Sequence, residues 1–245
     1  MPKAKYEGIY QDLRHRIEKG EYLKGTLLPT EHSLIEVYQC SRNTLRRAIA
    51  QLGEEGYVQS MQGRGVRVIY QPDRQRRYTI GGIETFRETA IRNNMNGYTQ
   101  IIAFTEMTVD EHMFKKSGFP MGAPVYFVQR VRYLEHTPVI LDNHLFLKSA
   151  VPGLTEKIAE KSIYDYMEKT LGMQVVTCKR TMTVEKLTQV DEKYLELAGY
   201  NCLAVVTSKT YNGEGVLFEY TQSRHRPDYF CYQDIVTRKI PEITL

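Results

Sequence analysis

Two arginines stand two positions apart, at Arg130 and Arg132, in the β-prone segment 124–133. Side chains two apart on a strand point to one face and lie about 7 Å apart, at a rise of ~3.4 Å per residue. Guanidinium groups at this distance repel unless an anion lies between them, and a phosphate group is a natural bidentate partner. The same spacing also fits arginines that meet carboxylates or water on an exposed face. The pair is therefore a candidate phosphate site, with that alternative open.

A second concentration of basic side chains lies in a predicted helix that begins after Ser41. Apolar residues between 45 and 52 predict one buried stripe, which leaves Arg42, Asn43 and Arg46 on the outward face. Such groups in the first turn of a helix suit the phosphate oxygens and base edges of a DNA major groove. A basic outward face can also be merely solvated. The neighbouring elements decide between these interpretations.

Those neighbouring elements are two further helices and a hairpin. An amphipathic pattern predicts a helix over 5–19, and Thr30 can cap a short second helix before the basic one. Two β-prone runs, 57–61 and 66–69, flank a glycine-rich turn that carries Arg64. An arginine at this tip could reach the adjacent minor groove or phosphates. Helix, turn, basic helix and basic hairpin together favour DNA binding over a solvated face.

Within residues 5–70, this pattern resembles the winged helix-turn-helix of the GntR-type bacterial regulators. The motifs that carry the resemblance are residues 28–31, 41–49, 52–58 and 62–65. The resemblance implies that Thr30 and Leu45 cap and pack, and that Arg42, Arg46 and Arg64 lead the DNA contacts. The full implied set is Glu31, His32, Ser41, Arg42, Asn43, Thr44, Arg46, Gly63, Arg64 and Gly65.

The charge distribution supports a boundary near residue 77. Residues 1–77 carry 14 Lys and Arg against 9 Asp and Glu, whereas residues 78–245 carry 19 against 20. The segment 71–77 contains Pro72, three arginines and no apolar side chain, which is typical of a linker. Its arginines could contact DNA phosphate or be solvated. We expect a DNA-binding domain over 1–70, a linker over 71–77 and an effector-binding and dimerisation domain over 78–245.

The third part of the chain alternates β-prone and helical patterns. Hairpin-linked strands with interspersed helices predict an α+β domain, a mixed arrangement of helices and strands with a mainly antiparallel sheet. The predicted strands are 98–106, 124–133, 138–147, 174–185, 202–211 and 216–226, and the predicted helices are 84–93, 109–117, 154–171 and 188–198.

Residues 130–132, 162–164 and 218–226 resemble the UTRA effector domain of the HutC branch of GntR regulators, which has a chorismate-lyase-like fold. The runs 162–172 and 220–230 most resemble the trehalose-responsive members of this branch. Trehalose 6-phosphate is therefore the implied effector. The resemblance requires Glu84 to point away from the phosphate. It assigns phosphate to Thr85, Arg130 and Arg132, and sugar hydroxyls to Asp142, Ser162, Tyr164, Glu219 and His225, with Arg224 as a further candidate.

Composition excludes several classes of protein. The apolar fraction is 42% and the charged fraction 25%, as in ordinary globular proteins. No apolar run approaches the ~20 residues of a membrane span, and residues 1–14 lack an apolar signal-peptide core. We therefore expect a soluble, cytoplasmic protein without metal or cofactor. Its cysteines should be reduced, since no CxxC motif occurs among Cys40, Cys178, Cys202 and Cys231.

The leading hypothesis is a homodimeric repressor of a sugar-utilisation operon, which binds operator double-stranded DNA and releases it when a phosphosugar binds. One alternative is a related regulator of another phosphosugar, such as an amino-sugar phosphate, or of a non-sugar metabolite. Another is an enzyme, because the fold is shared with a lyase. No nucleophile elbow, metal cluster or phosphate-binding Walker loop occurs in the sequence, so no catalytic residue is predicted.

Overall fold

The computed structural model describes residues 5–71, 79–234 and 236. The described residues form two compact units, one of residues 5–71 with 234 and 236, and a second of residues 79–233. The predicted linker, 71–77, lies outside the described residues apart from Gln71. Within the described ranges, no helix has the length and apolarity to cross a membrane.

The described part of the N-terminal unit contains the three predicted helices, α1 (Lys5–Glu18), α2 (Glu31–Tyr38) and α3 (Arg42–Glu54). The two predicted caps are confirmed. The Thr30 hydroxyl accepts a hydrogen bond from the Ser33 amide, and the Ser41 hydroxyl accepts one from the Thr44 amide. Each cap satisfies a backbone donor that the first turn leaves without an intrahelical partner.

The predicted hairpin consists of two antiparallel strands, β1 (Val58–Met61) and β2 (Gly65–Val68). Gly63 and Gly65 have φ angles of 69° and 100°, a region that favours glycine, which explains the two glycines at the turn. Apolar side chains from the helices and the first strand fill the core of this unit. Among them, Leu13, Leu45, Leu52 and Val58 are fully buried.

A six-stranded antiparallel sheet dominates the C-terminal unit, which confirms the predicted α+β class. The strands of this unit are β3 (Thr79–Ile80), β4 (Gly97–Thr108), β5 (Pro124–Leu134), β6 (Thr137–Leu147), β7 (Val175–Lys186), β8 (Cys202–Asn212), β9 (Leu217–His225) and β10 (Cys231–Tyr232). The order in the large sheet is β4-β5-β6-β9-β8-β7. A short parallel pair, β3 with β10, was not predicted.

The helices of this unit are shorter than predicted. The expected helix 154–171 is wrong, because Thr155 and Ser162 each cap a separate short helix and a π-helical turn, Tyr166–Thr170, follows. The Ser162 hydroxyl accepts from the Asp165 amide, which begins a new helix at this point. The helices are α4 (Phe86–Arg92), α5 (Glu111–Ser117), α6 (Glu156–Ala159), α7 (Ile163–Asp165) and α8 (Gln189–Tyr194).

The two faces of the sheet pack against different elements. Val128 and Phe146 belong to a cluster on one face with Ile163 and Met167 from the α7 region. Leu141 on β6 and Val205 on β8 lie on the opposite face and pack with Leu195, which follows α8. Along β5, the residues that continue the Val128 face are arginines instead of apolar residues. The polar site begins at this change.

Candidate functional site

A cavity of about 610 Å³ lies over this polar part of the sheet. Its floor is made by alternate residues of β5 to β9 and by the first residues of β4, and its walls include residues 80–87 and 160–165. The structure brings eight of the nine predicted effector residues into its lining. They are Thr85, Arg130, Arg132, Asp142, Ser162, Tyr164, Glu219 and His225.

Arg132 is held in a fixed orientation by two neighbours. Its Nε donates to Asp142 Oδ2 at 2.7 Å, and its Nη1 donates to Thr99 Oγ1 at 2.6 Å. Both members of the Arg132–Asp142 ion pair are buried. Burial opposes ionisation of Asp142, yet the Arg132 guanidinium, supported by Arg130, holds the pKa of this carboxyl well below its usual range. The carboxylate is thus charged and orients Arg132.

Arg130 lies beside it with fewer partners. Its Nη2 lies 2.7 Å from His144 Nε2 and its Nη1 is 3.4 Å from the Ala159 carbonyl oxygen. Its Nε is buried and has no hydrogen-bond partner among the residues that the structure describes. Burial and the neighbouring Arg132 charge lower the pKa of Arg130 to about 9. Arg130 is therefore a buried cation with an unused donor.

Glu219 collects three donors at the other side of His144. The Tyr164 hydroxyl donates to Oε2 at 2.6 Å, Thr221 Oγ1 donates to Oε1 at 3.0 Å, and His144 Nδ1 is 3.0 Å from the same Oε1. Burial opposes ionisation of Glu219, but His144, Tyr164 and Thr221 lower its pKa. Burial, then the Glu219 charge, raise the pKa of Tyr164 well above its usual value. This end of the cavity offers a carboxylate and hydroxyl groups.

The predicted wall residues have partly structural roles. Thr85 caps α4, and its hydroxyl accepts from the Glu88 amide. Glu84 also lines the cavity, but its carboxylate pairs with Arg92 at 2.9 Å. Arg92 thus provides the countercharge that lets Glu84 lie on this wall. His225 is buried in the floor, where desolvation lowers its pKa to about 4, so it is neutral at pH 7.

Arg224 does not enter the cavity, so its prediction as an effector residue is corrected. Its Nε donates to Asp191 Oδ1 at 2.9 Å and its Nη1 to Glu185 Oε2 at 2.6 Å. Adjacent strand residues point to opposite faces. Because His225 faces the cavity, Arg224 must face α8, whose fully buried Asp191 it neutralises.

Several lining residues were missed, and strand alternation could have found them. His144 follows Asp142 on the same face of β6, and Ser208 and Thr210 lie on the matching face of β8. Arg180 on β7 is a further case. Its Nη1 and Nη2 donate to the carbonyl oxygens of Gly81 and Gly82, both at 2.6 Å, and fix this part of the wall.

In the N-terminal unit, Glu31 joins α2 to the predicted DNA-reading helix α3. Its carboxylate accepts from Arg46 Nε at 2.7 Å and lies 3.7 Å from Arg42 Nε. The hydrogen bond from Arg46 lowers the pKa of Glu31. Both arginines keep more than half of their side-chain surface exposed. One carboxylate therefore organises two exposed cations.

The other predicted DNA residues lie in the first turn of α3, at the start of α2 or at the hairpin tip. Ser41 and Thr44 are hydrogen-bonded to each other at 2.8 Å between their hydroxyl oxygens. His32 pairs with Glu36 at 3.2 Å. All ten predicted residues are exposed except Glu31 and Thr44, which are half-buried. The prediction thus falls on accessible positions of α2, α3 and the hairpin.

The N-terminal unit combines three helices, one of them basic and exposed, with a two-stranded wing. The C-terminal unit holds a polar cavity over its sheet. Together they define a transcriptional regulator with separate DNA-binding and ligand-binding units. Family models agree. Residues 5–68 match the bacterial regulatory proteins of the gntR family, and residues 93–231 match the UTRA domain. The chain belongs to the gntR family of bacterial regulators and carries a UTRA domain.

Known relatives extend this assignment over the whole chain. The HTH-type transcriptional regulator TreR of Bacillus subtilis (strain 168) is 32% identical over 238 residues, which cover 97% of this chain and 99% of TreR. The mannosyl-D-glycerate system repressor MngR of Escherichia coli (strain K12) is 25% identical, with 97% and 98% coverage. These relatives are transcriptional regulators and not enzymes.

Two solved structures from Bacillus subtilis compare well with this one. The effector-binding domain of the trehalose repressor TreR has a TM-score of 0.53 at 32% identity, and the match covers 58% of this chain and 99% of that one. The possible transcriptional regulator YydK has a TM-score of 0.77 and covers 96% and 100% of the two chains. At 20% identity, YydK supports the fold alone.

Proposed function

We propose that this protein is a repressor that leaves its operator when a phosphosugar, trehalose 6-phosphate, occupies the cavity of its C-terminal unit. The observation that carries the proposal is the pair Arg130 and Arg132, both buried on one face of the cavity. We divide the chain into a DNA-binding domain over 1–70, a linker over 71–77 and an effector and dimerisation domain over 78–245.

A phosphate group suits the arginine pair for electrostatic reasons. Arg130 has an unused buried donor, and an unmade hydrogen bond of a charged group is costly inside a protein. Burial and Arg132 also depress the pKa of Arg130, so a neighbouring anion would stabilise its charged form. We assign the phosphate to Arg130 and Arg132, with the hydroxyl of Thr85 on the adjacent wall.

The rest of the lining suits sugar hydroxyls. The ionised carboxylates of Asp142 and Glu219 can accept from them, and Ser162, Tyr164 and His225 add further polar contacts. A cavity of about 610 Å³ is of a size that holds small-molecule ligands. The likeness to the trehalose repressor over the effector domain supports a trehalose-derived ligand. A phosphate site then favours trehalose 6-phosphate over trehalose.

The DNA end of the mechanism rests on α3 and the hairpin. The exposed arginines of these elements, Arg42 and Arg46 on α3 and Arg64 on the hairpin, would lead the contacts with base edges and phosphates. The remaining predicted residues would add further contacts. One winged unit reads one half-site, so we propose a homodimer on a two-fold operator. Since a repressor acts where the chromosome lies, we place the protein in the cytoplasm.

Release of the operator requires that the ligand bind more tightly to the protein state with low operator affinity. A ligand with equal affinity for both states does not change their populations. The wall segment 80–87 belongs to the cavity and begins a few residues after the proposed linker, which ends at residue 77. Ligand contacts with this wall therefore act on residues adjacent to the linker. This covalent proximity supports communication from the cavity to the DNA-binding domain.

A ligand screen tests the proposal. The melting temperature should rise when trehalose 6-phosphate is added, because the ligand binds the folded state. At a ligand concentration of 100 times Kd, binding adds about 2.7 kcal/mol to the free energy of unfolding. Trehalose should give a smaller rise in melting temperature. Trehalose 6-phosphate should also lower operator binding, measured by fluorescence anisotropy. Arg130→Ala should abolish both responses and keep operator binding, whereas Lys179→Ala, at an exposed position outside the cavity lining, should change neither.

The screen also separates the alternatives. A response to an amino-sugar phosphate in place of trehalose 6-phosphate would keep the phosphate assignment and change the sugar. No response to any sugar phosphate, or a response to unphosphorylated ligands that survives Arg130→Ala, would refute the phosphosugar proposal. Turnover of a ligand during incubation would refute a purely regulatory role.

A further inference from the structure

A continuous chain of buried hydrogen bonds crosses the cavity floor, and its central residue, His144, has no part in the function proposed above. Arg130 on β5 contacts His144 on β6 at 2.7 Å. His144 contacts Glu219 on β9 at 3.0 Å, and Tyr164 on α7 donates to Glu219 at 2.6 Å. The chain joins the arginine side of the cavity to the carboxylate side through one imidazole ring.

The partners of His144 determine its tautomer. A guanidinium group only donates hydrogen bonds, so His144 Nε2 must accept from Arg130 Nη2. The ring proton therefore lies on Nδ1, which faces Glu219 Oε1 and Thr221 Oγ1, both at 3.0 Å. The Thr221 hydroxyl can accept from Nδ1 and donate to Glu219. His144 thus presents an acceptor to the arginine and a donor to the carboxylate.

The ring also keeps two opposite charges apart. Arg130 and Glu219 are both buried, and at contact they would form a direct ion pair that uses up their hydrogen-bonding groups. With the imidazole between them, each charge is partly satisfied by a neutral group and keeps capacity for a ligand. Stacking of the His144 ring on Phe146, with centroids 5.4 Å apart and planes 7° apart, fixes the ring in this position.

We propose that His144 is a two-sided positioning residue: Nε2 holds Arg130 for the phosphate group, and Nδ1 holds Glu219 for the sugar hydroxyls. The inference rests on the proposed function, since it takes Arg130 as a phosphate ligand and Glu219 as a sugar ligand. It adds a residue of the cavity lining that acts through Arg130 and Glu219 and so affects the affinity for both parts of the ligand.

Amide side chains can replace one side of the ring at a time. In His144→Gln the amide oxygen can lie near the position of Nε2 and accept from Arg130, while the donor to Glu219 is lost. In His144→Asn the amide nitrogen can lie near the position of Nδ1 and donate to Glu219, while the acceptor for Arg130 is lost. His144→Phe fills the space and replaces neither.

The measurement is the pair of Kd values for trehalose 6-phosphate and trehalose, by calorimetry on the full chain. Each lost contact involves a charged group, so we expect a change of about tenfold. His144→Asn should reduce the advantage of the phosphorylated sugar, because only that ligand uses the Arg130 contact. His144→Gln should weaken both ligands by a similar factor and leave the advantage unchanged, because both carry the sugar hydroxyls that Glu219 accepts from. His144→Phe should weaken trehalose 6-phosphate by at least as much as either, and His112→Gln, at an exposed position, should match the wild type.

A residue that only fills space would not change the ratio of the two Kd values in the Asn variant and leave it unchanged in the Gln variant. Equal ratios in the Asn and Gln variants, or wild-type affinity in His144→Phe, would overturn the inference while leaving the phosphosugar proposal intact. Nitrogen NMR of His144 gives a ligand-free check: a proton on Nδ1 supports the arrangement, and a proton on Nε2 overturns it. If the wild type binds no sugar phosphate, the proposed function fails first and the ligand part of this inference fails with it.

Discussion

His225 provides a quantitative test of the buried floor. The side chain is only 5% exposed and its ring packs edge-on against Phe230, with centroids 5.4 Å apart. Burial lowers its pKa from 6.5 to about 4, and the nearby Asp142 charge offsets this only in part. Below pH 6.5 the unfolded chain therefore binds a proton that the folded chain does not bind. Stability must fall as the pH falls from 6.5 to 4.

The size of this effect follows from the two pKa values. At pH 5 the unfolded histidine is almost fully protonated, whereas the folded one remains mostly neutral. The free energy of unfolding should thus drop by about 2 kcal/mol between pH 7 and pH 5 on account of His225 alone. Asp142 and Glu219 have lowered pKa values, so their contributions are lost at more acidic pH than this window.

Urea denaturation followed by circular dichroism measures the effect, with His225→Gln as the control because glutamine is polar and does not titrate. The wild type should lose about 2 kcal/mol more than the variant between pH 7 and pH 5. Comparing the two pH dependences removes the contribution of the other histidines. An equal loss in both proteins would show that His225 titrates normally and would refute the argument from burial.

Other predictions concern the DNA contacts and the opposite face of the sheet. Arg46→Ala should weaken operator binding by about 1–3 kcal/mol, because Arg46 is proposed to contact a base edge. Fluorescence anisotropy measures the change, with Lys19→Ala, at an exposed position, as the control. Unchanged affinity would remove Arg46 from the interface. Operator affinity should fall steeply as salt rises from 50 to 200 mM, in proportion to the number of phosphate contacts, and a flat response would exclude a phosphate-led interface. Arg224→Ala should destabilise the C-terminal unit by about 3–5 kcal/mol, because it leaves the buried Asp191 without its cation; stability within 1 kcal/mol of wild type in the same urea assay would contradict that role.

The fold could be predicted from local patterns wherever apolar periodicity and caps agree. Thr30 and Ser41 stand directly before apolar stripes, so both helix starts were predicted to the residue. The prediction of one helix over 154–171 failed because its apolar spacing continues across Ser162, where a side-chain cap begins a separate helix. The parallel pairing of Thr79–Ile80 with Cys231–Tyr232 joins residues about 150 positions apart, a relation that no local pattern encodes.

The candidate site could be predicted as far as strand alternation allows. Arg130 and Arg132 were placed on one face by spacing, and both line the cavity. The prediction that Arg224 and His225 both contact the effector conflicts with the same alternation, because adjacent residues on a strand point to opposite faces. The pairing of Arg132 with Asp142, and of Arg46 with Glu31, depends on tertiary contacts between separate elements, and residue types alone do not determine which carboxylate each arginine meets.

The wall that Arg180 fixes has an evolutionary consequence. At Gly81 and Gly82 this wall is backbone, and a Cβ added at Gly81 would come within 2.8 Å of an Arg92 nitrogen that pairs with Glu84. Substitution at Gly81 would therefore disturb the wall before it could alter ligand preference. On the floor, by contrast, the side chains of Ser208 and Thr210 face the ligand space from a strand of the sheet. Mutations that adapt such a regulator to a new sugar should therefore accumulate on the strands, while Gly81 stays unchanged.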